Sequence, residues 1–365
     1  MFYHAIGIMS GSSLDGLDIV FAEFSEIGGK WSFETKASAC YSYEEVWLQK
    51  LQQATHLSAY DYLLLHSEYG KYIGQKVNQF IEENNLQHKV QLIASHGHTV
   101  FHAPQLGMTA QLGDGAAIAA TTGINVVSDL RALDVALGGQ GAPIVPMGEK
   151  LLWSNYNYWL NIGGIANISC NNNNQYIAFD ICPANRVLNM LANDVSKPYD
   201  ADGAMAAAGK INTALLTQLN ALPYYKLKYP KSLANNFGVE ELYPLIKSFN
   251  ISTEDALRTY TEHIALQTGY AIGSSHSSSN TQQLSLLITG GGAHNRFLVE
   301  RIKHAVEPYQ IKVVIPDTQT IDYKEAIIMA LLGVLRWREQ NTVLSSVTGA
   351  TRNSIGGAVW MGQDA

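Results

Sequence analysis

The sequence has only three cysteines in 365 residues, Cys40, Cys170 and Cys182, and no two of them form a C-x-x-C pair. That scarcity speaks against a disulfide framework and against a structural zinc site. Runs of Lys and Arg are also missing: 24 basic residues face 31 acidic ones, giving a formal net charge of −7. A nucleic-acid partner is not expected, because phosphate binding on that scale needs clustered cations. A small anion is still admissible, since backbone amides and a metal can hold one locally. No stretch reaches the ~18 uninterrupted apolar residues that suggest a membrane span. The N-terminus, Met1-Phe2-Tyr3-His4, runs into an apolar strand without a basic n-region or cleavage site. These absences predict a reduced, cytoplasmic protein without nucleic-acid or membrane partners.

What is present is a globular mixture, 47% hydrophobic and 15% charged, long enough for two domains. The first forty residues read as three strands: 5–8, 17–24, and an alternating run of Trp31, Phe33, Thr35 and Ala37 after the Gly28-Gly29 turn. Leu63, His66, Tyr69, Ile73, Val77 and Phe80 recur at helical spacing. A strand at 90–94, a helix at 114–122 and a strand starting at Asn125 follow. The order then recurs. Strands are predicted at 158–162, 165–170 and 175–180, a helix at about 253–272, a strand at 284–289, a helix at 295–306, a strand at 311–315 and a helix at 324–337. Both halves read β-β-β-α-β-α-β-α, which predicts an α/β protein with a mixed sheet and helical crossovers in each half, and a ligand in the cleft between them. The polar stretch 274–280 reads as an exposed loop. The domains are expected to be 1–130 plus about 340–365, and 131–339.

Three glycine-rich turns carry the chemistry. Gly11-Ser12-Ser13-Leu14-Asp15-Gly16-Leu17-Asp18 joins the first two strands. Its glycines let backbone N–H groups approach a ligand, its serines add donors, and Asp15 and Asp18 could hold a hydrated Mg²⁺. It is neither a Walker A loop nor a dinucleotide fingerprint, and an ordinary Gly/Ser hairpin has the same spacing. Gly163-Gly164 sits at the matching place in the second half, and Gly290-Gly291-Gly292, with Asn295 after it, ends a strand and opens a helix. Three such turns at strand ends point to a nucleotide site. Asp180 ends a strand just before Pro183-Ala184-Asn185, where a general base or a helix cap would both fit. His96 and His98 could ligate zinc, but no second His cluster completes the set, and a cleft wall or substrate contact is the other reading. Arg131 could grip a carboxylate or make a surface ion pair.

Seven segments in order resemble the anhydro-N-acetylmuramic acid kinase family over nearly the whole chain. They are Met9–Gly16, His96–Val100, Ala136–Pro143, Leu160–Asn167, Lys197–Asp200, Gly290–Gly292 with Asn295, and Ser346–Ala350. The resemblance implies two ribonuclease H-like domains of the actin/hexokinase/Hsp70 type, with five-stranded mixed sheets, and a homodimer. It also implies an ATP- and Mg²⁺-dependent sugar kinase: water opens the 1,6-anhydro ring while O6 takes the γ-phosphoryl group. Asp180 then matches the family's base, and Gly11 through Asp18 its ATP loop, with Gly163, Gly164, Gly290, Gly291, Gly292 and Asn295 on the nucleotide. His96, Arg131 and Asn185 match positions expected at the sugar. There are departures. The family's Thr-Gly-Pro-Gly-Asn reads Ile181-Cys182-Pro183-Ala184-Asn185, and its Lys-Ser-Thr-Gly-Arg-Glu reads Lys231-Ser232-Leu233-Ala234-Asn235-Asn236. Family members often have Gln where His98 stands, and Thr where Ser12 stands.

Overall fold

The fold is that of a computed structural model, which describes residues 1–11, 14–172, 175–229, 231–234, 236–275 and 283–363. Ser12, Ser13, Asn235 and residues 276–280 of the expected polar loop lie outside the described residues. The strands in chain order are β1 (Phe2–Ser10), β2 (Leu17–Ile27), β3 (Lys30–Tyr41), β4 (Leu92–Ala103), β5 (Met108–Leu112), β6 (Val126–Ser128), β7 (Tyr158–Ile162), β8 (Ile165–Asn172), β9 (Gln175–Pro183), β10 (Ser285–Thr289), β11 (Lys312–Val314) and β12 (Ala358–Trp360). The chain divides into two compact units, Met1–Ser154 with Tyr323–Ala365, and Asn155–Asp322.

In the first unit the sheet runs β12-β6-β4-β1-β2-β3, with β5 added on β4. Ile6, Ile8, Leu17 and Ile19, fully shielded from solvent, form its centre. The helix Ala59–Glu83, started by the Ser58 side chain accepting from the Asp61 N–H, lays Leu65, Tyr69, Ile73, Val77 and Phe80 into the same core. At Gly7 of β1 a Cβ would stand 1.9 Å from the carbonyl oxygen of Ala326, so only glycine lets the helix Thr318–Trp337 approach that strand so closely.

The second unit holds a five-stranded sheet ordered β11-β10-β7-β8-β9. Its core takes Leu160, Ile168, Leu286 and Ile288 from the strands, with Tyr260 and Ile264 of the helix Thr253–Ser275 packed against them. With β5 and β12 of the first sheet set aside and the strands numbered within each unit, both sheets share the order 3-2-1-4-5 with the second strand antiparallel to the rest, the ribonuclease H-like arrangement.

The first sheet has seven strands where five are expected. β5 and β12 are short, and neither alternates cleanly. β4 runs on to Ala103, so His96 and His98 lie inside a strand and not after one; from His98 onward it pairs with β5, and polar side chains hide its period. Residues 131–154 and 323–339, expected with the second unit, pack within the first. The reason lies in contacts such as Gly7 against Ala326 and the Asp134 carboxylate, fully buried, accepting from the Thr348 hydroxyl at 2.7 Å.

Candidate active site

In the first unit, β1 and β2 pair as far as Ser10 and Leu17, which leaves residues 11–16 as the connecting loop. The Leu14 N–H donates to the Gly11 carbonyl at 3.3 Å and Leu14 takes a positive φ of 60°. Gly16 and Leu17 are buried, and Asp15 is exposed. Asp18 sits half-buried opposite Cys40 on β3. The Cys40 thiol is pushed up to about 12 by partial burial, by a hydrogen bond to Asp18, and by the charges of Asp18 and Asp15. Two carboxylates therefore bear on one spot beside the loop. That donor set fits Mg²⁺, which keeps several waters and needs only one or two carboxylates plus phosphate oxygens.

Under the loop, the Ser10 hydroxyl meets Tyr43 Oη at 2.7 Å and His98 Nδ1 at 3.0 Å, and accepts from the Tyr69 hydroxyl at 3.0 Å. Burial lowers the His98 pKa, so the ring is neutral and serves as a hydrogen-bonding wall.

The residues expected at the sugar in this unit meet each other. Arg131 Nε–H donates to His96 Nε2 at 2.8 Å, which leaves His96 Nδ1–H to donate to the Gly97 carbonyl at 2.8 Å. Burial, and then the Arg131 charge, push the His96 pKa down to about 3. With both ring nitrogens engaged, the zinc reading of His96 and His98 falls; among the described residues no group of three or more His, Cys, Asp or Glu side chains could hold a metal. Arg131 also donates to the Gly141 carbonyl at 2.9 Å, and burial lowers its pKa to about 10, leaving it charged at neutral pH. Asp134, which no motif singles out, fixes this frame by accepting from the Gly141 N–H at 2.8 Å and from Thr348.

In the second unit the other two glycine turns come together. The amides of Ala184 and Asn185 donate to the carbonyls of Gly164 and Gly163 at 2.8 and 3.0 Å, and the Asn185 side chain donates to the Ile162 carbonyl at 3.1 Å. Gly290, at φ +79°, passes so close that a Cβ there would lie 2.5 Å from Asn161 Oδ1. Gly291 and Gly292 lie against Asn185. Asn295 serves the helix that follows: its side chain accepts from the Leu298 N–H at 2.9 Å and caps Arg296–Val306.

Asp180 lies on β9 opposite Asn167, and the register then shifts by one residue at Ile181. Such a bulge re-aims neighbouring side chains. The Leu233 N–H donates to Asp180 Oδ2 at 2.9 Å, and the Tyr224 hydroxyl donates to its main-chain carbonyl at 2.7 Å. Burial pushes the Asp180 pKa up, and the Leu233 amide and the Lys231 charge pull it partly back. The helix that follows, Asn185–Asn193, has Ala184 at its cap position, so Asp180 is not a helix cap. The Leu233 amide that holds the Asp180 carboxylate thus belongs to a stretch whose sequence departs from the family pattern. Nothing in its spacing links it to a residue some fifty positions earlier.

Two ribonuclease H-like units in one chain define the actin/hexokinase/Hsp70-like class of ATPases. A family model described as anhydro-N-acetylmuramic acid kinase matches residues 3–362. Relatives bearing that name include a protein of Hydrogenovibrio crunogenus, 32% identical over 368 residues that cover 97% of each chain, and one of Haemophilus influenzae, 33% identical over 384 residues that cover 97% of each. The chain belongs to the anhydro-N-acetylmuramic acid kinase family. Among solved structures, the activator of the 2-hydroxyisocaproyl-CoA dehydratase from Clostridium difficile with bound ADPNP is similar at a TM-score of 0.47 and 13% identity, covering 92% of this chain and 96% of that one.

Proposed function

We propose that the protein phosphorylates 1,6-anhydro-N-acetylmuramic acid at O6 with ATP while water opens the anhydro bridge, yielding N-acetylmuramic acid 6-phosphate and ADP. The C1–O6 bond breaks as a water oxygen bonds C1, O6 takes the γ-phosphoryl group, and the water's proton passes to Asp180. The observation that carries this reading is the Asp180 carboxylate: half-buried inside β9 beside its register shift, oriented by one amide, and with its pKa raised by burial. β9 runs on to Pro183 and does not end at Asp180 as expected. A raised pKa makes a carboxylate a stronger base, provided it stays ionised at working pH.

The remaining roles follow from chemistry. Phosphoryl transfer depends on positioning and on neutralising charge. We assign the phosphates to the loop 11–18 and to the turns at Gly163, Gly164 and Gly290–Gly292. Asp15 and Asp18 would hold Mg²⁺ through water, and the ion supplies charge neutralisation on the phosphate oxygens when bound. Arg131, held in place by neutral His96, is assigned to the lactyl carboxylate, and Asn185 to the sugar. A homodimer in the cytoplasm completes the proposal. Among the described residues no helix is long and apolar enough to cross a membrane.

The test is ADP release with Mg-ATP and three sugars: 1,6-anhydro-N-acetylmuramic acid, N-acetylmuramic acid and N-acetylglucosamine. Turnover confined to the anhydro sugar and lost in Asp180→Asn is the expected result. Turnover of a plain hexosamine would instead favour a related sugar kinase, and turnover of no sugar a non-catalytic ATP-binding sensor of the same fold, the reading to which the altered loop Ile181–Ala184 lends support.

A further inference from the structure

Beside β9, wholly within the second unit, lies a cavity of about 420 Å³ that none of the roles above uses. Its size suits a small ligand. Phe179 and Ile181 of β9 line it, as do Gln267 and Tyr270, residues 225–229 and Lys231. The wall is built and not merely vacant. His263, fully buried, contacts Asn220 Oδ1 at 2.7 Å and Tyr225 Oη at 3.0 Å, and Gln267 donates its amide to the same Asn220 oxygen at 2.9 Å. His263 and Asn220 thus stand behind the lining residues Tyr225 and Gln267, and burial pushes the His263 pKa down to about 3, so this support is uncharged.

The charged residues that line the cavity are Lys226, Lys228 and Lys231, and among the described residues no carboxylate lines it. None of the three takes part in an ion pair among the described residues, although the protein as a whole is acidic at −7. Lys226 and Lys228 are exposed and Lys231 is half-buried, so the cavity opens to solvent on its cationic side, where an anion with charge near −2 is attracted by all three. The Lys231 ammonium lies over the Tyr224 ring at 4.5 Å and within 5.8 Å of Phe179, and Tyr224 is the residue whose hydroxyl bonds the Asp180 carbonyl.

We propose that this cavity binds a small phosphate-bearing molecule, and that its occupancy is relayed to Asp180 through Lys231, the lining cation seated on the Tyr224 ring whose hydroxyl bonds the Asp180 carbonyl. The binding half stands on the cavity alone; the relay rests on Asp180 being the base. The groups facing Asp180 are Lys231 and the Leu233 amide from the segment after 230, Tyr224 from the preceding turn, and Cys182 from its own strand. Burial raises the pKa of both Cys182 and Tyr224, so both are neutral and Lys231 supplies the charge. An anion seated on Lys231 cancels its pull, and Asp180 then takes up its proton at higher pH.

The experiment uses the full chain saturated with ADP, titrated calorimetrically with inorganic phosphate and with N-acetylglucosamine 6-phosphate. It compares the wild type with the Lys226→Gln/Lys228→Gln variant. Unchanged ADP affinity verifies that the variant is folded. Binding in the wild type that weakens by about tenfold or more in the variant is expected; equal affinity in both, or no binding in the wild type, overturns the site. A sugar phosphate that binds tighter than inorganic phosphate, and loses that margin in Tyr270→Ala, identifies the ligand as the sugar phosphate. Equal affinities identify phosphate itself. For the relay, inorganic phosphate raises the acid limb of the kcat/KM profile by about half a pH unit in the wild type and leaves it in place in the variant. An unmoved limb in both overturns the relay. Should no sugar be turned over at all, the kinase reading falls and calorimetry still decides the site.

Discussion

At the scale of single residues, the protein places ionisable side chains where burial changes what they do. Asp180 is ionised against the preference of its surroundings, and its raised pKa fixes two signs. As a base it works deprotonated, so kcat/KM falls as pH drops through a value above the ordinary carboxylate pKa of 3.8. In stability the sign is opposite. The folded state holds this proton more tightly than the unfolded chain, so stability declines as pH rises from the unfolded pKa through the folded one. Asp180→Asn is therefore expected to lose turnover by several orders of magnitude while melting at or above the wild-type temperature at pH 7, read by calorimetry. Asp134 behaves differently, because it is buried with two donors directed at it. Asp134→Ala strands the Gly141 N–H and the Thr348 hydroxyl, and urea titration should show a loss of about 2–4 kcal/mol.

Elements show most plainly what the sequence reveals and what it hides. β3 and the helices Ala59–Glu83 and Arg296–Val306 were legible because one face of each is apolar at the right period, and β1 and β2 because they are short apolar runs bounded by turns. The glycine turns were legible because glycine is costly elsewhere. β5 was not, since its Gln111 and Thr109 side chains bond each other within the hairpin and mask any alternation. The support around Asp180 was also hidden: a backbone amide at Leu233 has no sequence signature. Gly7→Ala tests the closest approach. Its new methyl group meets backbone, which cannot swing aside, so a loss of about 3 kcal/mol or more is expected by denaturant unfolding. In the same unit, Lys324 and Glu149 form an ion pair at 2.9 Å, with side chains 3% and 4% exposed. Lys324→Met alone should cost about 3–5 kcal/mol by leaving a buried charge, and Glu149→Leu added to it should recover most of that.

At the scale of the whole molecule, the two ribonuclease H-like units differ in one way that shared topology conceals. The second is a continuous piece of chain, Asn155–Asp322, whereas the first is interrupted by it. β12, which pairs with β6, and the helical turns around Ala326, which cover Gly7, both arrive after the second unit is complete. On the ribosome, then, the unit begun first is finished last. Its early strands emerge and wait through 168 further residues (Asn155 to Asp322) before the segment that covers β1 is made. The stretch of apolar β1 and β2 exposed during that delay is where a nascent chain of this protein would most need a chaperone.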